Sequence, residues 1–103
     1  MELREIKAVI IQADPDAKHY TTSSRDAEAF TVWGEYERIG LMGDDGWAER
    51  GWRFEVDHYT KMEFSPVPER IEAELLAAGV AYTYTVAYQQ QTGYIRHIFD
   101  CEV

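Results

Sequence analysis

Four side chains able to ligate a metal or to carry acid and base chemistry fall in strand-like stretches: His58, His97, Asp100 and Cys101. Successive side chains of a strand alternate between faces, so His97 and Cys101 share one face while Asp100 points to the other. At most His97 and Cys101 converge with His58 across a sheet, and that spacing weakens the case for zinc. The same two residues sit about 13 Å apart along a strand, too far for a thiolate and its base. No Gly-x-Ser-x-Gly turn occurs, and the glycines at 40, 43 and 46 lack the following lysine and the strand-to-helix context of a phosphate loop. Glu55 and Asp57 share the polar face of a strand, where they pair with Arg53, Lys61 or a neighbouring strand more readily than they act as acid and base. No catalytic residue, metal or cofactor is expected from these patterns.

The elements that position these residues follow from periodicity. Trp52 to Phe64 alternates over thirteen residues, Trp52, Phe54, Val56, His58, Thr60, Met62 and Phe64 on one face, which predicts a long antiparallel strand. Glu28 to Ile39, rich in aromatic and β-branched residues, predicts the strand before it. The connection from Gly40 to Trp47 reads as a glycine-rich and Asp-Gly loop, too long for a tight hairpin. Residues 3–12, with Leu3, Ile6, Val9, Ile10 and Ile11, read as a first strand that ends at Asp14-Pro15-Asp16. Residues 17–26 are polar and lack periodicity, so they read as a surface loop.

Ser65-Pro66-Val67-Pro68-Glu69 has the features of a helix start, and Gly79 those of its end. Val67, Ile71, Leu75 and Ala78 make one apolar stripe, as in a helix lying on a sheet. Two further strands, residues 80–90 and 94–103, are joined by a short turn at Gln91-Thr92-Gly93. The expected fold is a single α+β domain over residues 1–103: a mostly antiparallel five-stranded sheet in the order β-β-β-α-β-β, with one helix on one face.

Composition limits the partners. The chain has 103 residues, 19 acidic and 10 basic, a net charge of -9, and 14% aromatic residues. That charge repels phosphate backbones, so direct nucleic-acid binding is not expected. A single cysteine, the lack of a long apolar run and the lack of a basic-then-apolar leader suggest a cytoplasmic protein without a membrane segment. Residues 14–49 hold nine acids and three bases.

One helix about 18 Å long and 10 Å wide covers two or three strands spaced about 4.8 Å apart, which leaves aromatic residues of a five-stranded sheet to be hidden otherwise. The first expectation is a small protein-binding or inhibitor module whose acidic, aromatic-edged surface occludes a basic site on a partner protein, such as one that otherwise binds nucleic acid. Glu35, Glu37, Asp44, Asp45 and Glu49 would steer that partner, and Tyr36 and Trp47 would anchor it. The alternative is a homodimer stacking sheet faces around a small apolar ligand, lined by Trp52, His58, Tyr82, Tyr84 and Tyr88. An enzyme ranks third.

Overall fold

Residues 3–13 form a helix where residues 3–12 were expected to form a strand. A computed structural model describes the backbone of residues 1–21, 27–43 and 46–103, and the side chains of these other than 41–43 and 46–50. Helix α1 spans Leu3–Ala13 and buries Ile6, Ile10 and Ala13. Those positions recur every three or four residues, the helical period, even though the run Val9-Ile10-Ile11 favours a strand locally. The Glu5 carboxylate accepts a hydrogen bond from the Glu2 amide at 3.1 Å, which satisfies one donor at the helix start. Packing of the apolar stripe overrides local β propensity here.

The strands are β1 (Lys18–His19), β2 (Ala29–Gly43), β3 (Gly46–Thr60), β4 (Ala81–Gln89) and β5 (Tyr94–Glu102), and helix α2 (Val67–Ala77) lies between β3 and β4. They form one sheet in the order β1-β2-β3-β5-β4. The β1–β2 pair is parallel and the others are antiparallel. The expected α+β class and mostly antiparallel five-stranded sheet therefore hold, with a second helix in place of the expected first strand. The fifth strand is the two-residue β1, inside the segment read as loop; residues 22–26 of that segment lie outside the described residues.

Both helices lie on one face of the sheet. Ile6, Ile10, Ile71 and Leu75 pack with Trp33, Phe54, Val56, Phe99 and Cys101 into one buried cluster. Arg70 Nε donates to the Ala13 carbonyl at 3.1 Å, so α2 satisfies an orphan acceptor at the end of α1. Gly79, at φ 73, takes the left-handed conformation that ends α2.

The β2–β3 ladder runs from Ala29 opposite Thr60 to Gly43 opposite Gly46, so the connection read as a long loop is mostly strand. Asp44 and Asp45, between Gly43 and Gly46, lie outside the described residues. β5 supports β3 from Thr60 only as far as Arg53. Past that point Trp52 still exchanges backbone hydrogen bonds with Val103, both 3.1 Å. A Cβ at Gly51 would stand 1.9 Å from the Val103 carbonyl oxygen, so only glycine admits the C-terminus there. Beyond Gly51 the hairpin continues as a two-stranded arm, and the molecule measures 51 × 25 × 22 Å.

Candidate functional site

Beneath the helices the polar residues are bound to one another. His58 is 1% exposed; its Nδ1 lies 2.9 Å from Thr31 Oγ1 and its Nε2 lies 3.1 Å from Ser65 Oγ. Thr31 donates to Asp14 Oδ2 at 2.6 Å. Asp14, Thr31, His58 and Ser65 thus tie the end of α1, two strands and the turn before α2 into one polar chain. Burial, with the nearby His97 second, lowers the His58 pKa to about 4. A neutral imidazole is what this core requires. The set resembles an acid, base and hydroxyl relay, but Thr31 stands between Asp14 and His58. Ser65 Oγ in turn accepts a bond from the Val67 amide at 3.3 Å.

Cys101 is buried, and burial pushes its thiol up to about 12, with Asp100 and Glu55 adding to the effect. Such a thiol is inert at neutral pH. Among the described residues no group of three or more His, Cys, Asp or Glu side chains is arranged to hold a metal.

Away from the helices, β4 presents a different surface. It is an edge strand, paired only with β5, with the sequence Ala-Tyr-Thr-Tyr-Thr-Val-Ala-Tyr-Gln. Tyr82, Tyr84, Val86 and Tyr88 share the helix-bearing face, as their registry with Cys101, Phe99, His97 and Ile95 requires. Tyr82 lies closest to α2 and donates to Glu72 Oε2 at 2.7 Å. Tyr84 stacks on Phe99 with ring centroids 4.4 Å apart, and its hydroxyl lies 2.6 Å from His97 Nδ1. Exposure then climbs along the strand: Tyr84 37%, Val86 56%, Tyr88 64%. Helix coverage ends before the strand does.

The opposite face of the sheet also carries aromatics, but these pack on each other. Phe30 stacks on Tyr59 at 4.7 Å, and Tyr94 meets both rings edge-on. Arg96 Nη2 lies 2.8 Å from both Glu55 Oε1 and Asp57 Oδ2. Burial raises the Glu55 pKa, with the neighbouring Asp57 adding to it. At the β1 edge Tyr20 adopts φ 70, a conformation costing about 1–3 kcal/mol for a residue other than glycine. A stack of Tyr20 on His19 on Trp33, at 3.7 and 3.9 Å, holds it there.

The residues expected to steer and anchor a partner are distributed as follows. The Glu35 carboxylate lies 2.7 Å from His19 Nε2 and accepts from the Tyr20 hydroxyl at 2.5 Å. Burial alone would raise its pKa, but these hydrogen bonds, together with one from its own backbone, hold it below the usual range. Tyr36 donates to Asp100 Oδ1 at 2.6 Å, which raises its phenol to about 12. Glu37 pairs with Arg53 at 3.1 Å. Asp44 and Asp45 lie outside the described residues, and so do the side chains of Trp47 and Glu49 on β3.

The alternative ligand set spans the length of the sheet. Trp52, under the Arg38 guanidinium at 4.4 Å, lies at the C-terminal edge of the three-stranded region. Tyr88 lies at the other end, in the row of Ile95 and Thr60. Eight strand residues separate Trp52 from Thr60, about 26 Å. Tyr84 and His58 both approach His97, whereas Trp52 and Tyr88 approach neither. Sequence reasoning did place Tyr84 and Tyr88 together on one face. Alternation puts Val86 on that face as well; what sequence reasoning missed was the edge position of this strand, for which the lack of any charge between Val80 and Tyr94 was the available signal.

No family model matches the sequence, and no curated protein matches it. Among solved structures, a chain of the virion of a native gene transfer agent particle is similar, with a TM-score of 0.62 at 10% identity. The match covers 97% of this chain and 85% of that one. At this identity the likeness is one of fold. Neither eleven-residue helix is long and apolar enough to cross a membrane.

Proposed function

We propose that this protein is a module of a protein assembly, which engages another polypeptide through the edge and the helix-bearing face of β4. One observation carries the reading: a nine-residue edge strand without charge, proline or bulge, whose Tyr84, Val86 and Tyr88 are exposed. Soluble proteins protect such edges with charges, prolines, bulges or a covering element, because an open ladder recruits further strands. Among the described residues β4 has none of these, and pairing there supplies main-chain hydrogen bonds while the tyrosines supply desolvated contact area. The fold shared with a virion component agrees with a role in assembly, and the hairpin beyond Gly51 is the kind of two-stranded element that gains stability from a neighbour.

The test is photo-crosslinking in the organism that makes the protein, with a photoreactive side chain at Thr85 and, as control, at Lys7 of α1. The expected result is a discrete adduct from position 85 that is absent from position 7. Equal or no adduct from both positions contradicts the proposal.

A second reading keeps the inhibitor or accessory module aimed at a basic partner surface. It draws on the face away from the helices, where Glu37, Glu55, Asp57, Asp100 and Glu102 outnumber Arg53 and Arg96. Placing lysine at Asp100 and Glu102 should weaken capture of a basic partner protein at least tenfold; unchanged capture removes this reading.

A further inference from the structure

We propose that the occupant of the β4 edge is the β4 strand of a second copy, paired antiparallel about Thr85 so that two five-stranded sheets become one of ten strands. This rests on the reading of β4 as a docking strand and names its partner.

Charge selects the site for a copy of the same chain. Two molecules carrying -9 each repel one another over most of their surfaces, but residues 80–93 contain no charged side chain. A second open edge, on β2 beyond its short pairing with β1 at Val32 and Trp33, is less suited. It carries a register shift between Glu35 and Glu37 and the charges of Glu35, Glu37 and Arg38. Bulges and charges of this kind are how edges are closed to strangers.

The sequence of β4 complements itself. Centred on Thr85, antiparallel pairing sets Tyr84 opposite Val86, Tyr82 opposite Tyr88 and Thr83 opposite Ala87, each twice, with Thr85 opposite Thr85. Aromatic and β-branched side chains meet on one face and small ones on the other, the combinations that stabilise cross-strand neighbours. All nine residues of Ala81–Gln89 take part. The resulting contact is isologous, which closes at two copies and leaves no further β4 edge open.

Exposed side chains supply part of the interface area. At their observed exposures Tyr84, Val86 and Tyr88 offer about 300 Å² per copy. A standard interface buries about 800 Å² per partner, so the rest must come from the strand edge and its surroundings.

The experiment is sedimentation equilibrium of the purified chain from 1 to 200 µM, for the wild type, Thr85→Lys and Val86→Glu. Circular dichroism establishes that each variant is folded. The wild type should approach twice 11.9 kDa over this range. Both variants, which place like charges opposite or diagonal to each other across the pairing, should dissociate at least tenfold more readily. In a mixed sample of labelled and unlabelled chains, Tyr84 ring protons of one copy should show contacts to Val86 methyl groups of the other. A wild type that stays at one chain mass at 200 µM overturns the self-pairing, and so does a dimer that persists in both variants. A monomeric wild type that still gives a position-85 adduct to a different protein in cells overturns the self-pairing alone. Loss of that adduct overturns the docking strand itself.

Discussion

The same alternating pattern runs through two parts of one sheet and meets two fates. On β3 and β5, at the centre, Phe54, Val56 and Phe99 lie beneath both helices at 1%, 0% and 0% exposure. On β4, at the edge, Tyr84, Val86 and Tyr88 occupy the same face in the same phase and become progressively more exposed. Alternation decides which face a side chain takes. Whether that face is covered depends on where the helices lie, and two helices of eleven residues leave the far end of an edge strand bare. In the proposed reading, this bare surface on an acidic chain is where another polypeptide docks.

The contrast predicts unequal costs for truncation. Phe54→Ala should lose about 3–5 kcal/mol in denaturant unfolding, because it opens a cavity in a packed core. Tyr88→Ala, measured at 1 µM, the dilute end of the proposed pairing equilibrium, should lose less than about 1 kcal/mol. Equal losses would break the distinction between the two regions.

Acid should act through the covered region. His58 is neutral in the fold with a pKa of about 4, whereas the unfolded chain takes up a proton near 6.5. Asp14, Arg70 and His97 are the charged or titratable neighbours that bear on it. The unfolded state therefore binds more protons between these values, so stability is present above pH 6.5 and falls as pH drops toward 4. The full difference corresponds to roughly 3 kcal/mol. His58→Gln should be less stable at pH 7, and its deficit against the wild type should shrink as pH is lowered to 4.5, read from denaturant midpoints. A constant deficit would remove His58 as the source.

Smaller effects should mark the base of the arm. Gly51→Ala must displace the C-terminus at Val103 and should cost about 1–3 kcal/mol, measured by thermal unfolding. Glu37→Gln, which breaks an exposed pair with Arg53, should change stability by less than about 0.5 kcal/mol in the same assay.

Much of the fold was legible in the sequence because it rests on local pattern. The strand read at Trp52 to Phe64, which in the structure ends at Thr60, the 80–90 and 94–103 hairpin and the helix after Ser65 each announce themselves by period and by turn or cap residues. Helix α1 did not, because Val9-Ile10-Ile11 favours a strand while the spacing of Ile6, Ile10 and Ala13 favours a helix, and tertiary packing decided between them. The long β2–β3 hairpin was hidden by Gly40, Gly43 and Gly46, which suggest a loop yet, in this chain, continue the ladder. For the candidate site, the tyrosine face of β4 was readable, but its exposure depends on helix placement in three dimensions. Of the residues singled out between 35 and 49, Glu35, Tyr36 and Glu37 have partners within the chain, a pairing that depends on strand register and not on local pattern.

The most direct test of the account is amide hydrogen exchange of the purified protein, comparing β4 with β3 at 1 and 200 µM. If β4 is a docking strand that pairs with its own copy, protection of the amides in Ala81–Gln89 should rise at least tenfold with concentration while protection in Trp52 to Thr60 stays constant. Protection of β4 that is the same at both concentrations would contradict it.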